Sequence, residues 1–116
     1  MSIQRIEPGL RMAQAVVHNG VVYLAGQVAG QTKGKSVTEQ TKEILEIIDG
    51  LLKQAGTDKT KLLQTQIFLP DISNFAEMNK VWEAWVSPGN VPARATIEAK
   101  LASSDYKVEI MVVAAK

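Results

Sequence analysis

Three stretches of the chain, residues 21–28, 62–69 and 107–114, read as β-strands that are apolar at odd and even positions alike. Successive side chains of a strand leave by opposite faces, so a sheet built from these segments needs cover on both sides. Only two segments carry the helical periodicity to supply it. Ile44, Ile47, Ile48, Leu51 and Leu52 fall on one face at helical spacing, and so do Phe75, Met78, Trp82 and Trp85. Two helices cover one face of such a sheet. The other face is left apolar and bare, which predicts burial against another copy of the chain.

The order of the elements follows from local signals. Runs 13–18 and 21–28 meet at Asn19-Gly20, a pair that tolerates the positive φ of a tight hairpin. Ser36 and Glu39 form a capping box ahead of the first helix, and Lys53 and Gly56 close it. Gly50, inside that helix, costs about 1 kcal/mol relative to alanine and predicts the close approach of a neighbouring backbone. Strand 62–69 stops at Pro70-Asp71, and Asn74 with Glu77 predicts a second capping box for a helix over 74–86. Two last strands, 93–101 and 106–114, flank a short loop and are expected to pair as a hairpin. The order β-β-α-β-α-β-β is that of an α+β fold, a mixed sheet with two helices on one face. With 116 residues, it forms one domain over 1–116.

Composition narrows the function classes. Thirteen basic residues against twelve acidic, spread over both halves, give no large basic surface for nucleic acid. The absence of cysteine removes disulfides, thiolate nucleophiles and cysteine zinc sites, and a single histidine, His18, rules out any site needing two imidazoles. No metal site is expected. No run of about 18 apolar residues is present to span a membrane, and Met1-Ser2-Ile3-Gln4-Arg5 lacks a secretory pattern, so the expected location is cytoplasmic. Residues 29–36, Ala-Gly-Gln-Thr-Lys-Gly-Lys-Ser, fit a relaxed phosphate-loop pattern. The strand before them belongs to a hairpin instead of a parallel β-α-β unit, and Ser36 is already used as a cap, so a solvated loop is the favoured reading.

The chemistry concentrates near the C-terminus. In 92–101 Arg94, Thr96 and Glu98 share one strand face while Ala95, Ile97 and Ala99 share the other. Glu109 is an acid in an otherwise apolar strand, where burial raises a carboxyl pKa toward the range useful for proton transfer. If the last two strands turn about Ser103-Ser104, Glu98 lies opposite Glu109. Arg94 then projects from the same face about 13 Å away, which leaves room for a small anion held by a guanidinium fork. On spacing alone a structural Arg–Glu pair competes with that reading. Asn79 interrupts the apolar stripe of the second helix and therefore needs a partner or a wet cleft.

At these residues the sequence resembles the RidA family, also called the YjgF family, over essentially its whole length. Pro92-Ala93-Arg94-Ala95-Thr96-Ile97, Leu101 and Val108-Glu109-Ile110 carry the closest motif. It is supported by 21–28, Gln54-Ala55-Gly56, Phe68-Leu69-Pro70-Asp71 and Phe75-Ala76-Glu77-Met78-Asn79. The resemblance implies a chorismate-mutase-like protomer assembled as a homotrimer, with sites in the clefts between subunits. It implies hydrolysis of reactive 2-imino acids of the 2-aminoacrylate type to 2-keto acids and ammonia, without a cofactor, on a small-molecule substrate. By position, Arg94 matches the arginine that clamps the substrate carboxylate, and Glu109 the glutamate that handles water or proton. Gly26 matches backbone lining the pocket, Thr96 a side chain beside the arginine, and Asn79 the helix asparagine. Met12 stands where the family has a pocket tyrosine, and Ala25 where it has a serine, so two pocket hydroxyls are replaced. The alternatives are a non-catalytic carboxylate-binding or chaperone-like trimer and, less favoured, an RNA-cleaving or translation-inhibiting protein.

Overall fold

The computed structural model describes residues 2–116. Its strands are β1 (Gln4–Ile6), β2 (Ala15–His18), β3 (Val21–Leu24), β4 (Leu62–Leu69), β5 (Ala93–Glu98) and β6 (Glu109–Ala115), and its helices α1 (Val37–Gln54) and α2 (Phe75–Trp85). The strands form one sheet in the order β1-β2-β3-β6-β4-β5. All neighbours run antiparallel except β4 and β5, which are parallel. The mixed sheet with two helices is the fold expected from the sequence, with β1 as an added edge strand.

The hairpin of β2 and β3 turns where predicted, with Asn19 at φ +51° and Gly20 at φ +75°. The last two strands do not form a hairpin. Both pair with β4, which lies between them, so Glu98 sits beside Leu69 and Glu109 beside Phe68. A strand apolar on both parities gains most from a central place, and β4 takes it. β5, with Arg94, Thr96 and Glu98 on one face, suits an edge.

The caps of α1 are as read: the Ser36 hydroxyl accepts from the Glu39 N–H at 3.1 Å, and Gly56 closes the helix at φ +84°. The second capping box is not formed, because Asn74 makes no side-chain cap. Instead the Glu77 carboxylate accepts from the Thr38 N–H at 2.9 Å and from the Thr38 hydroxyl at 2.8 Å, so α2 caps the N-terminus of α1. The expectation for Gly50 also fails. No heavy atom stands within 4 Å of the position a Cβ would take there.

Ile44, Ile48 and Leu52 of α1 and Met78 of α2 close over Val22, Ile67, Leu69, Ile110 and Val112 of the sheet, all of them fully buried. Burying each such side chain contributes roughly 1.5–3 kcal/mol. The opposite face has no such cover. Tyr23, Leu63 and Ile97 are exposed there, and Phe68, Met111 and Val113 only half-buried. In the 29–36 loop, the Gln31 N–H (3.1 Å), the Thr32 N–H (2.7 Å) and the Thr32 hydroxyl (2.7 Å) all donate to the Glu43 carboxylate. Backbone donors that a phosphate would need are thus spent on an acid. Among the described residues, no helix is long and apolar enough to cross a membrane.

Candidate functional site

Arg94 lies on edge strand β5, in register with Thr65 of β4, whose buried side chain faces the helices. The guanidinium carbon sits 5.7 Å from the ring centre of Phe75 and 5.6 Å from that of Trp82, so two aromatic faces of α2 hold it. Burial pulls its pKa below the ordinary arginine value, and the nearby Glu83 charge acts the other way. Arginine stays protonated under either influence. Among the described residues nothing accepts a hydrogen bond from this guanidinium or forms an ion pair with it. It is a partly dehydrated cation with its fork free.

The neighbouring polar groups are also unspent. Thr96, two positions along the same face of β5, has a buried hydroxyl oxygen without a hydrogen-bond partner, and so does Thr65 beside Arg94. An unmade buried hydrogen bond costs about 1–3 kcal/mol, which favours any occupant able to make it. Asn79 is half-buried on α2, one turn after Phe75 and one turn before Glu83, on the side of the helix that meets Arg94. The sequence reading assigned Phe75 and Trp82 to packing and passed over Thr65. Their arrangement around a cation had no separate signal, because an aromatic stripe at helical spacing reads the same way in a plain core.

Glu109 opens β6 and points to the bare face, in register with Phe68 and, one strand further, Ile97. Burial raises its pKa above the ordinary glutamate value. Its carboxylate rests against Gly26: a Cβ built there would stand 2.1 Å from Glu109 Oε2, a separation no side chain tolerates. The segment around Gly26 is fixed on both sides. The Ala25 N–H donates to the Gln14 carbonyl at 2.9 Å, and the Gln27 N–H to the Ile110 carbonyl at 2.9 Å. Met12, 47% exposed, lies two residues before Gln14 on the loop that passes this point.

The site residues therefore fall into two groups. Arg94, Thr96 and Asn79 gather on the helix side at the β5 edge, and Glu109, Gly26 and Ala25 gather around the start of β6, whereas Met12 is exposed and not shown in contact with them. Arg94 and Glu109 do not share a face, contrary to the hairpin expectation. Arg94 shares a row with Thr65 and Val112, whereas Glu109 shares one with Phe68 and Ile97, three residues along. An odd offset places the two side chains on opposite faces.

Comparison with known proteins bears on what such a divided arrangement belongs to. The sequence profile of the family described as Endoribonuclease L-PSP matches residues 2–116. A RutC family protein of Haemophilus influenzae is 46% identical over 114 residues, 98% of each chain. The crystal structure of a YjgF-family protein from Neisseria meningitidis superposes with a TM-score of 0.96 at 40% identity, covering 100% of this chain and 96% of that one. The chain belongs to the YjgF family. Among YjgF-family relatives, a rat protein named 2-iminobutanoate/2-iminopropanoate deaminase is 31% identical over 107 residues, 88% of this chain and 77% of its own. The family thus includes a protein named as an imine deaminase.

Proposed function

We propose that the protein hydrolyses small 2-imino acids to 2-keto acids and ammonia, at sites completed by two copies of the chain. The observation that carries this reading is the unpaired Arg94 guanidinium, clasped by two aromatic rings and flanked by hydroxyls with no partner. A carboxylate is the ligand such a fork fits best. Glu109 supplies a carboxyl with a raised pKa, but on the other face of its own protomer. One small molecule touches both groups only where the β5 edge of one copy meets the bare face of the next. That assembly is a homotrimer in this reading, and the uncovered apolar face supports it.

In the proposed cycle Arg94 clamps the substrate carboxylate and aligns the imine carbon. Glu109 of the neighbouring copy takes a proton from a water molecule as the water oxygen bonds to that carbon and the C=N π electrons move to nitrogen. Glu109 then returns the proton to nitrogen. Glu109 next takes the hydroxyl proton and delivers it to the amino nitrogen, so that the C–N bond breaks with its electrons leaving on ammonia as the C=O bond forms. Met12 and Ala25 place apolar groups where relatives of the resembled pattern carry hydroxyls, which favours imines with apolar side chains. The test uses 2-aminoacrylate generated in situ. Wild type accelerates its decay over buffer, Arg94→Ala removes most of the acceleration, and Arg94→Lys, which lacks the bidentate fork, restores little of it. Arg94-dependent binding of 2-ketobutanoate without any acceleration would instead support the non-catalytic alternative.

A further inference from the structure

We propose that Gln40, in the first turn of α1, is a positioning residue for Glu109, pinning the connection between β5 and β6 so that the carboxyl is presented at one fixed place. The assignment rests on the reading of Glu109 as the group that handles the proton in imine hydrolysis. Residues 99–108 carry the chain past β4, from one neighbour of that strand to the other, and form no strand or helix of their own. Irregular backbone of this kind depends on partners elsewhere in the fold for its hydrogen bonds. The Gln40 side chain supplies them. Its Nε2 donates to the Asp105 carbonyl at 2.9 Å and to the Lys35 carbonyl at 3.1 Å, while its Oε1 accepts from the Lys107 N–H at 2.9 Å. Both amide hydrogens are thus spent. The Gly34 N–H adds a second bond to the Asp105 carbonyl, at 3.0 Å.

Gln40 is fully buried. A buried amide is tolerated only when hydrogen-bonded, and a satisfied buried network holds its members in one arrangement. Beyond Lys107 the chain is fixed again at once. Val108 is fully buried, the Ile110 N–H donates to the Gln27 carbonyl at 3.1 Å, and the Gln27 N–H donates back to the Ile110 carbonyl at 2.9 Å. Glu109 stands between these two clamps, two residues after the first and one before the second. The tolerance there is small, because the carboxylate leaves no room for a Cβ at Gly26. None of these bonds reaches Arg94, which Phe75 and Trp82 hold on the opposite side of the sheet from Glu109. Loosening Gln40 therefore moves the acid and leaves the carboxylate clamp in place.

Gln40→Met keeps the bulk and removes the three bonds. Gln40→Ala, which leaves room for water at the freed groups, is the second variant should the first not fold. Thr41→Val, next along α1 and also fully buried, loses the 2.7 Å bond from its hydroxyl to the Val37 carbonyl and controls for general destabilisation. On 2-aminoacrylate generated in situ, kcat falls at least about tenfold in the Gln40 variants, as displacement of a reacting group predicts. Calorimetric affinity for 2-ketobutanoate stays within about twofold of wild type, and Thr41→Val changes neither quantity. An NMR titration of the Glu109 carboxyl needs no turnover. Its midpoint moves toward the ordinary glutamate value of about 4.3 in the Gln40 variants and stays in place in Thr41→Val. If wild type fails to hydrolyse the imine, the proposed reaction falls, and the titration alone decides the positioning. Folded Gln40 variants in which Glu109 titrates as it does in Thr41→Val, or which lose affinity and kcat equally, would overturn the proposal.

Discussion

Within its own protomer, Glu109 is a carboxyl pushed toward its neutral form by burial alone. Its native pKa lies above the unfolded one, so the native state holds this proton more tightly. As pH rises, the unfolded chain ionises first, and stability falls until the native carboxyl has ionised too. Glu109→Gln should therefore unfold at a higher temperature than wild type at pH 7. The difference should close below the ordinary carboxylate range, as thermal melts at the two pH values will show. The same variant should lose imine hydrolysis. At Gly26 the geometry gives a second expectation. Gly26→Ala forces the Glu109 carboxylate to move, since the new Cβ would meet Oε2 at 2.1 Å. Misplacing a reacting group by about 1 Å costs on the order of a hundredfold in rate, so kcat should drop steeply while circular dichroism stays native. Arg94 was legible in the sequence from the alternation of its strand, and Glu109 as an acid in an otherwise apolar one. Thr65 was not, since a buried threonine in a strand is ordinary until its hydroxyl is found without a partner.

α2 acts as an aromatic platform beneath Arg94 and as the cap of α1. Phe75→Leu keeps the apolar bulk and removes one ring face from the guanidinium. A cation–π contact at a partly exposed site contributes about 0.5–1 kcal/mol, so KM should rise roughly two- to fivefold with kcat little changed. Steady-state kinetics on one imine checks this, and an equal fall in kcat would argue against a positioning role. Element identity was read well wherever the signal was local: Asn19-Gly20 set a hairpin, and Ser36 with Gly56 bounded α1. Pairing was not local. Nothing within 93–114 says that β4 comes between β5 and β6, and the clue lay 30 residues earlier, in a strand apolar on both faces. Glu77 was misread for the same reason, as its partner Thr38 is distant in sequence and adjacent only once the helices pack.

For the molecule as a whole, the bare apolar face and the division of the site residues lead to one conclusion. A protomer holds its cation on one side of the sheet and its half-buried acid on the other, so the proposed reaction draws its two groups from two chains. The exposed face was legible from strand composition, but the separation of Arg94 from Glu109 emerged only with the register of the sheet. Subunit complementation measures this directly. Arg94→Ala and Glu109→Gln chains, each inactive alone, are unfolded together in equal amounts and refolded as mixed oligomers. If each site takes its arginine from one copy and its glutamate from the next, about a quarter of the sites in a closed ring regain both groups, and about a quarter of wild-type activity returns. A mixture that forms mixed oligomers yet stays as inactive as its parents would mean that the two groups serve the reaction from a single chain, or not at all.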